Sequence, residues 1–316
     1  MFLSKQKKVA LQIDPIEKLD FATDSTMLIA SELQNREYQL FYYLPRNLFF
    51  ERGGLYAMGS YIELDYSKGT FSKSEKQKVL LEDFKVIFIR QIPLFNQEYL
   101  TTTYMLETLK RPLILNEPQA IRNVAEKLSI INFPKFIPET MITASNQEIK
   151  RFLAQYKIAI LKPLYDCGGR GVIKLSHDSN NTNEYVQRLL GKYGYVMLQE
   201  YLSDVVTLGD KRVLFMDGEI IGVINRKPQP GDFRVNMLMG GRSYSTSLTK
   251  KEKDICHYVG KFLKDRNLFL VGIDLIAEKL IEINVTSPTG FVVINKLYKQ
   301  NIEKIIVDQI EIKIKN

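Results

Sequence analysis

The chain has 316 residues, a formal net charge of +8 and a 45% apolar fraction, so it has room for two or three domains. Its 25% charged residues are ordinary for a soluble globular enzyme. Two cysteines without paired spacing exclude a disulfide framework and a zinc site and fit a reducing, cytoplasmic setting; two histidines exclude a multi-His metal site.

The first residues carry no long apolar core or small-residue cleavage pattern, so no secretory signal is expected. No apolar run approaches a membrane span, so no membrane partner is expected. The basic residues are scattered and no nucleic-acid motif appears, so the charge is read first as lysines spread over exposed faces, next as attraction of anionic small substrates, and last as nucleic-acid binding.

In chain order, residues 8–13 form a β-branched run that predicts a strand, 26–36 have helical spacing, and 39–44 predict a second strand. A hairpin is expected over 56–69, strands over 86–90 and 113–116, and a helix over 100–110. Alternating strands and helices predict an open α/β sheet with ligand groups at strand C-termini, where Asp14, Arg90 and Asn116 fall. Pro112 and Pro118 flank a domain boundary, giving a division into 1–118 and 119–316, the latter split near 201/202. Beyond it, helices are expected over 119–128, 146–155 and 182–193, and strands over 158–162, 172–175 and 195–201. The remainder alternates strands with one clear helix, 250–266, and 227–247 is the longest loop-like region.

Four segments carry chemistry. V-G-I-D-L-I-A-E-K-L-I-E-I-N-V-T-S-P, residues 271–288, sets Asp274, Glu282 and Asn284 among apolar neighbours. Buried carboxylates require a partner, and a hard cation such as magnesium with substrate phosphates supplies one. Glu282 and Asn284 share a strand face. Asp274 joins that face only if the hairpin loop holds an odd number of residues, for instance Ala277-Glu278-Lys279. L-K-P-L-Y-D-C-G-G-R-G-V, residues 161–172, places a lysine at a strand end before three glycines whose backbone N–H groups suit phosphate. It lacks the Lys-Ser/Thr of a Walker loop. Arg212 and Arg226 fall on or beside strands, and arginine forks match phosphate or carboxylate oxygens. Arg234, Asn236 and Arg242 lie in a loop able to close over a reactive intermediate.

Together with D-P-I, T-D-S-T, N-E-P-Q-A-I-R-N, Q-E-Y-L and G-D-K-R-V, these segments resemble the bacterial glutathione synthetases of the ATP-grasp superfamily over nearly the whole chain. The resemblance implies an open-sheet N-terminal α/β domain followed by a two-subdomain ATP-grasp domain. It implies ATP held by Lys127 and Lys162 under a flap containing Asp166, Gly168, Gly169 and Gly171. Glu200, Tyr201 and Leu202 would read adenine, and Asp210 would lie near the ribose. Asp274, Glu282 and Asn284 would bind Mg2+, with Mn2+ as a substitute. Arg212, Arg226, Arg234 and Asn236 would stabilise the transferring phosphoryl group and the tetrahedral intermediate, and Arg90 and Ser287 would touch substrate. The implied substrates are γ-glutamylcysteine and glycine, and the implied assembly is a homotetramer. The family's R-x-D-P-P-F-D segment reads R-Q-I-P-L-F-N at 90–96, and the pair often seen after the glycine of T-S-P-T-G is absent. Those departures keep two other readings open: a ligase for a different acid or amine, and a catalytically silent ATP-binding regulator.

Overall fold

The computed structural model describes residues 7–92, 94–177, 182–235 and 242–315. The first part runs β1 (Lys8–Gln12), α1 (Ser25–Asn35), β2 (Gln39–Tyr43), β3 (Leu48–Glu51), β4 (Gly54–Asp65), β5 (Thr70–Lys73), β6 (Gln77–Leu80), β7 (Val86–Ile89), α2 (Gln97–Leu106), β8 (Leu113–Leu115) and α3 (Pro118–Asn123). Its eight-stranded sheet has the order β3-β4-β2-β1-β7-β8, with β5 and β6 also paired to β4. The strands β2, β1, β7 and β8 are parallel and almost wholly apolar, as expected of strands covered on both faces. Local chemistry fixes the helix starts. Asp24 caps α1 by accepting from the Thr26 and Met27 amides at 2.7 and 2.8 Å. Asn96 caps α2 by accepting from the Tyr99 amide at 2.9 Å.

The second part comprises β9 (Thr140–Thr143), α4 (Asn146–Tyr156), β10 (Ile158–Pro163), β11 (Ile173–Ser176), α5 (Thr182–Tyr193) and β12 (Val196–Glu200). Its four strands are antiparallel in the order β11-β10-β12-β9. The third part comprises α6 (Asp204–Thr207), β13 (Asp210–Met216), β14 (Glu219–Lys227), β15 (Arg242–Tyr244), α7 (Lys250–Lys264), β16 (Leu270–Ile276), β17 (Lys279–Asn284), α8 (Phe291–Tyr298) and α9 (Ile302–Lys315). Its antiparallel sheet has the order β15-β14-β13-β16-β17. Thr249 and Glu252 form a reciprocal capping box that starts α7.

Several sequence expectations need correction. The helix expected over 119–128 stops at Asn123, so Lys127 stands at the entrance of a short 3-10 turn. The 227–247 region yields β15, which pairs with the end of β14. Two C-terminal helices are additional to the single expected one. In α9, Ile302, Ile306 and Ile310 recur every fourth residue and are buried, the spacing of a helix face. The helices α8 and α9 join the core of the first sheet, packing with α1, β1 and β2. Arg36, the C-cap of α1, reaches Asp308 and Glu311 of α9 at 2.6 and 3.3 Å.

Asn116, expected as a ligand group, is a stitch between the first sheet and the third. Its Oδ1 accepts from the Phe269 and Leu270 amides at 2.9 and 2.8 Å, and its Nδ2 donates to the Leu270 and Val285 carbonyls at 2.8 and 2.6 Å. A buried amide with all four bonds made has nothing left for a ligand. Asn116→Ala orphans those backbone groups, and we expect a stability loss of about 3 kcal/mol, read as a lower denaturant midpoint.

Candidate functional site

The register of β16 and β17 decides which oxygens meet. Their turn holds two residues, Ala277 and Glu278, both at positive φ (46° and 59°), the geometry of a tight hairpin. The three-residue loop is therefore not present. A bulge supplies the odd residue instead: Leu275 pairs with Leu280, whereas Asp274 pairs with Glu282 and Gly272 with Asn284. Asp274, Glu282 and Asn284 consequently share one face.

Asp274 is buried and fully engaged. Its Oδ1 lies 2.5 Å from Arg212 Nε and 2.9 Å from Arg226 Nη2. Its Oδ2 accepts from Arg212 Nη2 at 2.9 Å and from Asn284 Nδ2 at 3.3 Å. Arg226 also grips Asp210, at 2.7 and 2.5 Å. Burial pushes the Asp274 carboxyl up, but the charges of Arg212 and Arg226 outweigh it and hold the group below the usual carboxylate range. Asp210 is shifted upward by burial, with the Arg226 charge opposing. Arg212, Arg226 and Asp210 thus spend their charge on one another and on Asp274.

Two lysines face this cluster. Lys127 is 3.3 Å from Glu282 and donates to the Asp166 carbonyl. Lys162, buried at the end of β10, donates to Gln199 of β12. Burial lowers the Lys162 pKa to about 8, with Glu282 raising it and Lys127 lowering it. Gln199 and the neighbouring Glu126 escaped the sequence reading. Glu126 accepts from the Thr286 amide and hydroxyl at 3.2 and 2.7 Å, and its backbone carbonyl accepts from Ile283, which fixes Lys127 against β17. Their only signal is adjacency, Glu126 to Lys127 and Gln199 to Glu200. Burial and the Glu282 charge raise the Glu126 pKa.

The glycine loop follows Lys162. Gly168, Gly169 and Gly171 all have positive φ (66°, 75° and 68°), which a side chain adopts only with strain. Asp166 is held within it, accepting from Arg170 Nε at 2.7 Å and Tyr193 Oη at 3.0 Å. Arg234 lies beside the loop, its Cδ 3.9 Å from where a Cβ on Gly169 would stand, and is paired with Asp232 at 2.9 Å. Glu200, Tyr201 and Leu202 form the segment leaving β12. The Glu200 carboxylate accepts from the Glu139 amide at 3.3 Å, and Tyr201 meets Phe233 edge-on at 6.3 Å and Lys174 at 3.8 Å. Asn236 lies outside the described residues.

Arg90 and Ser287 meet at the seam between the sheets. Ser287 donates to the Arg90 carbonyl at 2.9 Å, while Arg90 donates to Thr26 Oγ1 at 3.0 Å and to the Pro288 carbonyl at 2.9 Å. Among the described residues the Arg90 guanidinium has no carboxylate partner and its Nη1 is unbonded, and burial lowers its pKa to about 10. Asp14 accepts from the Ile92 amide at 2.6 Å.

The donor set fits a hard divalent ion. Glu282 and Asn284 offer partly open oxygens, whereas the four acceptor positions of Asp274 are filled. Asp274 can reach a cation only by yielding a contact, and turning the Asn284 amide releases one while presenting its oxygen.

Comparison with known proteins bears on this arrangement. Sequence profiles described as "Prokaryotic glutathione synthetase, N-terminal domain" and "Prokaryotic glutathione synthetase, ATP-grasp domain" match residues 8–122 and 126–299. The chain is 41% identical to a glutathione synthetase of Agrobacterium fabrum, covering 98% of both chains. It is 38% identical to one of Brucella melitensis, covering 96% of this chain and 98% of that one. Among solved structures, the D-alanyl-alanine synthetase A of Vibrio cholerae superposes with a TM-score of 0.67 at 15% identity, over 99% of this chain and 100% of that one, a likeness of fold.

Lys162 yields a prediction with a definite sign. Below about pH 8 it is charged and attracts polyanions; above that it is neutral. We expect polyphosphate affinity to fall as pH rises through about 8, and the fall to flatten in Lys162→Arg, whose charge persists. Titration calorimetry across that range checks it.

Proposed function

The chain belongs to the prokaryotic glutathione synthetase family, and from that membership we infer that it joins γ-glutamylcysteine to glycine, consuming ATP and giving glutathione, ADP and phosphate. It is an ATP-dependent carboxylate–amine ligase of the ATP-grasp fold. The observation that carries the reading at residue level is the convergence of Lys127, Lys162, Glu282 and the start of the glycine loop on one another.

The cysteinyl carboxylate of the dipeptide attacks the γ-phosphorus of ATP, and the bond to ADP breaks. The amine of glycine then attacks the acyl carbon, phosphate leaves, and a proton is lost from the new amide nitrogen. Such chemistry needs positioning and charge neutralisation, not a protein nucleophile. In our reading Lys127 and Lys162 hold the phosphates, exchanging the Asp166 carbonyl and Gln199 for phosphate oxygens. Arg212 and Arg226 act chiefly by fixing Asp274. Arg234 shields the acyl phosphate from water, and Tyr201 and Phe233 border the adenine end. Arg90, with its unbonded Nη1, is placed to receive a substrate carboxylate at the seam.

ATP-grasp chemistry uses a divalent metal, and we take it to be Mg2+, with Mn2+ as a substitute. Glu282 and Asn284 would hold it, joined by Asp274, and it would neutralise charge between the phosphates. On the family resemblance alone we also take the assembly to be a homotetramer, and we take its setting to be the cytoplasm, which two free cysteines suit. Sedimentation checks the oligomer.

One observation favours a second reading, a ligase for another acid or amine. Ile92 and Leu94, at positions where the family often carries an acid and a proline, are 51% and 48% exposed beside the seam. Asn96, by contrast, replaces an acid yet serves as a helix cap. ADP release measured while omitting ATP, metal, γ-glutamylcysteine and glycine in turn separates the readings. Dependence on all four, with glutathione formed, is the expected result; no release with this pair, but release once another acid and amine are supplied, would favour the second.

Two variants probe residue roles. Glu282→Gln is expected to lower kcat by about 100-fold or more with the fold intact, and near-normal turnover would refute the metal role. Arg234→Ala is expected to release ADP in excess of peptide product, because water reaches the acyl phosphate; tight coupling in that variant would refute shielding.

A further inference from the structure

The glycine loop carries a charged pair that the reaction scheme above leaves unused. Arg170 donates through Nε to Asp166 Oδ1 at 2.7 Å and through Nη2 to Cys167 Sγ at 2.8 Å. Its side chain is 50% exposed. The carbonyl of the same Asp166 receives Lys127, so the pair stands one hydrogen bond from the phosphate-holding lysine. Arg234 approaches the loop at Gly169, next to Arg170, and is likewise held by a carboxylate of its own segment, Asp232. Two arginines therefore flank the tip of the loop, each resting on a nearby acid.

The arginine of each pair is partly open to water, 50% for Arg170 and 34% for Arg234, so solvent screening weakens each contact even though Asp166 itself is only 14% exposed. A phosphoryl group offers a guanidinium several charged oxygens in the matching fork geometry. Asp166 also keeps other partners if Arg170 leaves: the Tyr193 hydroxyl at 3.0 Å and the Cys167 amide at 3.0 Å. The arginine can depart without orphaning the carboxylate it leaves behind.

We propose that Arg170 is an additional phosphate-binding residue, carried by the glycine loop, that leaves Asp166 on nucleotide binding and contacts the γ-phosphoryl group opposite Arg234. Asp166 then sets the cost of recruiting it. The proposal rests on the reading of this cleft as an ATP site. It predicts discrimination between ATP and ADP, since only ATP has the group that Arg170 contacts.

The test is equilibrium binding of Mg-ATP and Mg-ADP to the full chain and to three variants. R170A is expected to weaken ATP roughly 10- to 100-fold and ADP by less than about 2-fold. R170K is expected to recover part of the ATP affinity. D166N, which frees the arginine and removes a negative charge, is expected to tighten ATP several-fold. Equal losses for ATP and ADP in R170A would overturn the proposal. So would weaker ATP binding in D166N, because the pair would then serve only to shape the loop. A wild-type chain that binds neither nucleotide would overturn the ATP reading itself, and this proposal with it.

Discussion

The buried chain of charges Asp210–Arg226–Asp274–Arg212 is the constraint on which the site depends. Four ionisable side chains lie at the junction of β13, β14 and β16, nearly out of contact with water. Each would be strongly unfavourable alone, and together they are tolerable because every carboxylate oxygen has a guanidinium donor. The directional bonds leave little freedom in how the three strands are registered. That register places Glu282 and Asn284 beside Asp274, so the buried charge network determines where these oxygens stand.

A second constraint acts across the sheets. Asn116 joins β8 to the backbone at Phe269, Leu270 and Val285, and Ser287 and Pro288 bond to Arg90 at the end of β7. Glu126 ties the segment before Lys127 to Thr286. These contacts meet within a short stretch after β17, which carries metal-type oxygens on one side and the seam on the other. A shift of that stretch would move the proposed phosphate and acid-binding groups together.

In the free chain the cations of the cleft rest on internal acceptors. Lys127 has Glu282 and a carbonyl, Lys162 has Gln199, and Arg170 and Arg234 have neighbouring carboxylates. Burial of Lys162 lowers its pKa, so its charge carries a desolvation cost. An arriving polyanion therefore replaces existing partners rather than meeting bare charge. This keeps the folded state free of unpaired buried cations and reserves the strongest contacts for the ligand.

Much of this was legible in the sequence where local rules govern. The helical spacing over 26–36 and 250–266, the β-branched strands and the three glycines after Lys162 each act over a few residues. The oxygen triad was visible because carboxylates among apolar residues require partners. Tertiary structure alone decided what those partners were. No local pattern announces that a two-residue turn followed by a bulge, not a three-residue loop, brings Asp274 opposite Glu282. None reveals that Arg212 and Arg226 would be committed to Asp274 and Asp210, that Asn116 would bond to backbone instead of ligand, or that α8 and α9 would return to the first sheet. The division has a physical reason. Capping, turn geometry and periodicity are fixed by neighbours along the chain, whereas charge pairing and burial depend on which distant strands come into register.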